Sequence, residues 1–324
     1  MTTTIGGFTD GEVALAPRSY GKALYAAALE DDRIVCLGAD LTQPTETYLM
    51  RDRMPERFFS LGIQEANMIG VAAGMARCGD IAFAHSFCVF ATRRVYDQIA
   101  MQLAYPRTNV KVVGFIPGLN TDLGVSHQAI DDVALMRALP NMTIVEPSGP
   151  EQIHAAVRAI VAHDGPVYLR LPIARGKADE TTPLAGLEIG KGQIVREGSD
   201  VAILASGTMV AQALEAAGLL AGEGLTATVA NFSTLKPLDA DLVRRLAGGH
   251  PVLITAENHS VIGGLGSAVA ETLAVVPLRA RLGMVGVQDV FAEGGSTPYL
   301  MKKYGLDAAA IAAKARLLCR GTGT

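Results

Sequence analysis

The sequence predicts an α/β fold made of two three-layer α/β/α domains with mainly parallel sheets. Three observations carry this. Apolar, β-rich runs alternate with helical patterns almost throughout the chain, which implies a sheet covered on both faces by crossover helices. Several of the expected strands are short and apolar without alternation, as strands buried on both faces are. The rhythm breaks once, at residues 173–192 (IARGKADETTPLAGLEIGKG), a polar, Gly-containing stretch with Pro183 that reads as an interdomain linker.

The partition is residues 1–175 for the first domain, 176–192 for the linker and 193–324 for a smaller second domain. In the first, IVCL at 34–37, IAFA at 81–84, VKVV at 110–113, MTIV at 142–145 and VYL at 167–169 are the expected strands. Helical patterns occupy 20–29, 65–76, 95–104, 129–137 and 151–163. Alternation restarts with strands at 201–205 (VAILA), 226–231 and 252–256 (VLITA), and helices at 210–220 and 265–275.

Composition agrees and excludes several classes. A chain of 324 residues suits about two domains of ~100–200 residues. With 49% hydrophobic and 19% charged residues it falls among soluble globular proteins. A net charge of −4 with no Lys/Arg run argues against a nucleic-acid-binding surface. No apolar stretch approaches the ~20 residues of a membrane span, and the N-terminus (MTTTIGGFTDGEVAL) lacks the basic-then-apolar order of a signal peptide. Cys36, Cys78, Cys88 and Cys319 form no CxxC pair, which fits a reduced cytoplasmic compartment. The six histidines show neither HxxxH nor HExxH spacing, so no zinc site is expected.

The chemistry concentrates around residues 61–76 (LGIQEANMIGVAAGMA). Glu65 stands where a loop turns into a small-residue helix able to pack closely on a sheet. A carboxylate there is favoured by the helix macrodipole by ~0.3–1 kcal/mol, so a simple first-turn glutamate is the plain alternative to a functional one. Some twenty residues on, Phe87 and Phe90 lie three apart among small residues in a chain with nine phenylalanines and no tryptophan. Their plain reading is two core aromatics on one face.

Taken together, GIQEANM, SFCVFATRRVYDQI, GVSHQAIDDVALMRALPNMTIVEPS and GPVYLRL resemble the pyrimidine-binding domain of transketolases, from about Arg18 to Arg170. SDVAILASGTMVAQALEAAGLL, FSTLKPLD and ENHSVIGGLGSAVAE resemble the transketolase C-terminal domain. The family's diphosphate-binding domain, with its Gly-Asp-Gly motif and metal-ligating Asp and Asn, has no counterpart in these residues. The resemblance is therefore to the C-terminal subunit of a split transketolase.

That resemblance implies thiamine diphosphate as cofactor, shared with an N-terminal partner subunit that also holds Mg²⁺ or Ca²⁺, in a heterotetramer of two plus two chains. It implies that Glu65 hydrogen-bonds the pyrimidine ring and supports the imino tautomer that removes the thiazolium C2 proton, a role that calls for a carboxyl tuned by burial and partner. Phe87 and Phe90 match the aromatic platform around that ring, with Asp40, Leu41 and Arg93 as further cofactor contacts. His127, in VSHQ, matches a histidine that contacts donor oxygens and the reaction intermediate. Arg18 and Arg170 match arginines that bind sugar phosphate, for which the guanidinium fork is suited, and Asp122 is a further substrate candidate.

The sequence departs from the family pattern at two points. The aspartate usual four residues before the histidine is Leu123, with Asp122 adjacent, and a phosphate-contacting histidine twelve residues before it is Phe115. Both changes imply a more apolar donor site and an altered donor range. In the second domain Glu257-Asn258-His259 precede a Gly-rich turn, where close turn packing outweighs anion binding. The reactions left open are ketol transfer by a transketolase subunit, a 1-deoxy-D-xylulose-5-phosphate synthase or 2-oxoacid dehydrogenase beta reaction, or a catalytically silent binding subunit.

Overall fold

Strands buried along their whole length, with one more exposed edge strand, build the first sheet. They are β1 (Ile34–Gly38), β2 (Phe58–Ser60, a more exposed edge), β3 (Ile81–Phe87), β4 (Val110–Phe115), β5 (Thr143–Val145) and β6 (Val167–Leu171). The structure is a computed structural model. It describes residues 19–172, 184, 186–277 and 280–320, with the backbone of two short paired strands, Thr4–Ile5 and Phe8–Thr9. Arg18 and most of the linker lie outside the described residues.

The second domain contributes β7 (Gln193–Arg196), β8 (Val201–Ala205), β9 (Ala227–Asn231), β10 (Thr234–Lys236), β11 (Val252–Ser260) and β12 (Arg281–Val287). Its five-stranded sheet runs β12-β11-β8-β9-β7, parallel except for the edge strand β7. The first sheet has seven strands in the order β10-β5-β6-β4-β3-β1-β2. Its outermost member, β10, comes from the C-terminal half of the chain and pairs antiparallel with β5, Thr234 opposite Val145. Lys236 secures this crossing by donating to the backbone carbonyls of Arg137 and Leu139.

The helices are α1 (Ser19–Glu30), α2 (Tyr48–Arg53), α3 (Glu65–Arg77), α4 (Cys88–Thr92), α5 (Asp132–Ala138), α6 (Pro150–Ala162), α7 (Met209–Ala221), α8 (Ala240–Gly249), α9 (Leu265–Ala274), α10 (Thr297–Lys303) and α11 (Ala308–Arg320). Helix α6 shows the general logic. Pro150 opens it after Gly149 at φ 80°, and Ile153, Ala156, Val157 and Ile160 make one buried stripe. Helix α8 is capped by Asp239, whose carboxylate accepts from Leu242 N–H at 2.9 Å.

Both expected α/β domains are present, and the expected strands recur; those from Ile34, Ile81, Val110, Val167 and Val252 run on further, while the two expected at 142–145 and 226–231 begin one residue later. Two expected helices differ. The pattern at 129–137 becomes helical only at Asp132, because the Ala129 carbonyl accepts from Gly118 N–H (3.0 Å) and Arg170 (3.2 Å) instead of starting a helical ladder. The pattern at 95–104 is divided into a 3₁₀ turn (Arg93–Val95), one α turn (Tyr96–Gln98) and a π-helix (Ile99–Ala104). Thr92 and Val95 leave helical geometry, at φ −126° and −123°. This break decides which of two adjacent arginines faces the site.

Candidate active site

In an open parallel sheet, ligands meet the carboxyl ends of the strands. There β1 runs out at Gly38, β3 at Phe87 and β4 at Phe115. The chain turns sharply beyond, with Asp40 at φ 59° and Ile116 at φ 54°. Glu65 is the first residue of α3 and only 2% exposed.

Alternation along β3 sends Ser86 and His85 to opposite faces of the sheet. Ser86 Oγ donates to Glu65 Oε1 at 3.1 Å, and Arg94 Nη1 donates to Glu65 Oε2 at 3.3 Å. The carboxylate is thus held by a hydroxyl and a guanidinium at the positive end of a helix. On the other face, His85 Nδ1–H donates to the Leu37 carbonyl at 2.9 Å. That leaves Nε2 to accept from the Tyr20 hydroxyl at 2.7 Å. Burial pushes the His85 pKa down to about 4, so the ring is a neutral connector between α1 and β1.

Three rings gather around Arg94, the cation that meets Glu65. Phe90 and His127 meet edge-to-face at 5.2 Å between centroids, Phe87 and His127 at 6.1 Å, and Phe87 and Phe90 at 6.0 Å. The Arg94 guanidinium carbon lies 4.1 Å from the centre of the Phe90 ring, within cation–π range. Burial, and then the Arg94 charge, lower the pKa of His127, leaving a neutral imidazole near pH 7. Ser126 Oγ lies 3.0 Å from its Nδ1, and its backbone N–H donates to the Gly124 carbonyl at 2.9 Å.

The structure therefore brings Glu65, Phe87, Phe90 and His127 together, with Asp40 exposed and Leu41 half-buried at the end of β1. Asp122 and Leu123 are exposed on the loop that carries His127. Two expectations need correction. Arg93 is turned away from Glu65: its Nε donates to the Asp131 carboxylate at 2.9 Å and its Nη2 to the Gln128 carbonyl at 3.2 Å. The neighbouring Arg94, which the motif reading passed over, reaches the carboxylate. Ser86 was also missed, although its place one residue before Phe87 in an all-buried strand marks a polar group that needs a partner. Phe115 offers no surface to the site, being fully buried edge-to-face against Tyr20 at 5.5 Å.

The second correction is Arg170, expected to hold substrate phosphate. Its guanidinium is fully buried and committed to protein groups. Nε donates to Asp132 Oδ2 (2.7 Å), Nη1 to Glu146 Oε1 (2.6 Å), and Nη2 to the carbonyls of Ala129 (3.2 Å) and Asn258 (2.9 Å). Ser206 Oγ donates to the other Glu146 oxygen at 2.7 Å, and Tyr168 O–H to Asp132 at 2.6 Å. The Glu257-Asn258-His259 run completes this interdomain network. Glu257 accepts from Leu265 and Gly266 N–H at 2.7 and 2.8 Å, capping α9. Asn258 accepts from Leu119 N–H at 2.9 Å and donates to the Pro117 carbonyl and Asn120. Gly118, at φ 55°, has to be glycine here, since a Cβ would fall 2.1 Å from the Asn258 carbonyl oxygen. Among the described residues, no three His, Cys, Asp or Glu side chains converge to hold a metal ion, and no helix is long and apolar enough to cross a membrane.

Residues 17–175 match the transketolase pyrimidine-binding domain model and residues 190–311 the transketolase C-terminal domain model. The chain belongs to the transketolase family. Within that family it is 48% identical, over 302 residues, to the 6-deoxy-6-sulfo-D-fructose transketolase subunit of Clostridium sp. (strain MSTE9), covering 90% of this chain and 91% of that one. Among solved structures it resembles a split gene transketolase described as an inactive beta4 tetramer, with 43% identity and a TM-score of 0.86 over 93% of this chain and 97% of that one. It is also 35% identical to the 1-deoxy-D-xylulose-5-phosphate synthase of Chlorobium phaeovibrioides (strain DSM 265 / 1930), covering 93% of this chain but 48% of the synthase. Members of the family use thiamine diphosphate.

Proposed function

We propose that this chain is the C-terminal subunit of a split, thiamine-diphosphate-dependent transketolase, moving a two-carbon ketol unit from a ketose donor to an aldose acceptor. The observation that carries this reading is Glu65, a buried carboxylate with one hydroxyl and one guanidinium partner, the guanidinium also lying over Phe90 beside Phe87 and a neutral histidine. A silent binding subunit has no physical use for that set, since burying a carboxylate carries a desolvation cost even when it is paired.

The same residues fit an aminopyrimidine. Phe87 and Phe90 offer aromatic rings for packing, Asp40 and Leu41 stand at the adjoining strand end, and Glu65 can share a proton with a ring nitrogen. When bound, the cofactor supplies the nucleophilic carbon and the electron sink. Glu65 holds the proton that sets the ring's tautomer, and Arg94 helps keep that carboxylate in place. His127, uncharged, can donate to or accept from donor oxygens. The diphosphate and its Mg²⁺ or Ca²⁺ are assigned to the partner subunit in a two-plus-two heterotetramer. The proposed compartment is the cytoplasm, in keeping with four cysteines that form no CxxC pair.

Two relatives support the division of labour, one named as a subunit and the other as an inactive tetramer of a single chain type. Accordingly, the isolated chain is expected to bind no thiamine diphosphate in calorimetry with Mg²⁺ present. Co-expression with a chain carrying the diphosphate domain should restore both binding and two-plus-two mass in sedimentation. Tight binding by the isolated chain would overturn the division.

The decisive assay is ketol transfer by the assembled chains. The donor panel holds xylulose 5-phosphate, unphosphorylated ketoses and 6-deoxy-6-sulfo-D-fructose, the last because of the relative named for it. With Leu123 in place of a polar donor contact, xylulose 5-phosphate is not expected to be the best donor, and its clear preference would refute that part. Turnover of pyruvate in place of any ketose would favour the synthase reading that the 35% identity supports.

A further inference from the structure

His127 sits on a loop between β4 and α5 that the first domain alone does not hold. The residue after it, Gln128, is 1% exposed and is held from both domains. Its carbonyl accepts from Arg93 of the first domain at 3.2 Å, and its side-chain Nε2 donates to the Glu293 carbonyl of the second at 2.9 Å. Its Oε1 is buried without a partner among the described residues. A buried amide left half-satisfied costs ~1–3 kcal/mol, so Gln128 is a poor choice for simple interdomain adhesion.

The acceptor that Gln128 meets is itself anchored. Glu293 N–H donates to the Tyr304 hydroxyl at 3.0 Å, and Lys303 at the end of α10 donates to the Glu293 carboxylate at 2.7 Å. Next in sequence, Gly294 abuts the turn before His127. A Cβ there would stand 3.2 Å from the Asp122 carbonyl oxygen and 3.9 Å from Gly124 Cα. Gly124, at φ 77°, is the residue whose carbonyl accepts from His127 N–H. The Glu293–Gly294 turn therefore bears on both ends of the short segment 124–128.

We propose that Gln128 is a positioning residue through which the second domain sets the place of His127 against Phe87 and Phe90. This rests on the transketolase reading for its catalytic consequence, but not for its structural one. A histidine on a sixteen-residue connection (116–131) has many orientations open to it. Anchoring the adjacent residue to a rigid second domain removes most of them, and orientation errors of about 1 Å cost about 10²-fold in rate.

The test is Gln128→Met, which keeps length and loses the N–H donor. Expected results are displaced His127 imidazole ¹⁵N–¹H signals in the folded isolated chain and a donor kcat/KM lowered about 10- to 100-fold in the assembled enzyme. The acceptor KM should be unchanged. Combined with His127→Ala, Gln128→Met should cause no further loss, the non-additivity of two residues acting as one. Tyr304→Phe loosens Glu293 from the far side and should act in the same direction with smaller size, which keeps the idea testable if Gln128→Met fails to fold. Unmoved His127 signals in a folded variant, or losses that multiply with those of His127→Ala, overturn the proposal. If the assembled wild-type chains transfer no ketol unit, the proposed function fails, and the His127 spectrum alone decides the positioning role in either direction.

Discussion

Glu65→Gln is expected to slow hydrogen–deuterium exchange at C2 of the bound cofactor by about 10²–10⁴-fold in the assembled enzyme, with circular dichroism unchanged. That is the usual cost of losing a positioned acid–base group, equivalent to about 3–6 kcal/mol of barrier. The amide keeps the size of the carboxylate and can still accept from Ser86, now 3.1 Å away. It cannot share a proton with a ring nitrogen, and it gives up the charge that Arg94 meets at 3.3 Å. If Glu65 only completes the first turn of α3, exchange should stay near wild type and stability fall by no more than ~1 kcal/mol. NMR exchange in a cofactor-saturated, folded variant separates the two, and near-wild-type exchange would refute the assignment.

Arg170→Met should cost about 3–5 kcal/mol of stability in urea denaturation, because it strands two buried carboxylates without their cation. It should leave the donor KM of any enzyme that still assembles unaltered, the opposite of what a phosphate-binding arginine would show. The effect should depend on pH in a definite sense. Burial alone would raise the pKa of Asp132, but Arg170, with His259 and Tyr168, outweighs it and holds the carboxyl below its ordinary value. Its contribution in wild type is therefore present above about pH 3.9, the unperturbed value, and is lost as the pH falls through the lower folded value. Without Arg170 burial is opposed only by His259 and Tyr168, so the carboxyl takes up a proton at higher pH, and the deficit should narrow toward acid. A donor KM raised tenfold in a variant of undiminished stability would restore Arg170 to the substrate site.

How the sequence led to one arginine and away from another shows what it encodes locally. That Glu65, Phe87 and Phe90 lie close together was legible because they fall in two short, unbroken sequence motifs, and β1, β3 and β4 because strands covered on both faces read as apolar runs. The role of Arg170 was not, since its partners Asp132, Glu146 and Asn258 stand 38, 24 and 88 residues away. No local pattern says that a buried counter-charge awaits it. Arg93 and Arg94 are adjacent and chemically identical, so only the break at Thr92 and Val95 assigns one to Asp131 and the other to Glu65. The strand Thr234–Lys236 was missed because three residues before Pro237 carry too little periodicity to be read.

That strand has a consequence for modularity. Because β10 closes the outer edge of the first sheet, beside β5, the two halves of the chain are not separable building blocks. A chain severed within 176–192 would release an N-terminal fragment with β5 as a naked edge, open to pairing with other chains. Its C-terminal fragment would carry a strand with no sheet to join. Grafting this C-terminal half onto a foreign pyrimidine domain would likewise have to match the Thr234–Val145 register as well as the buried charges. Chimeras between relatives should accordingly tolerate a junction ahead of α1 better than one in the linker that looks, from sequence, like the natural seam.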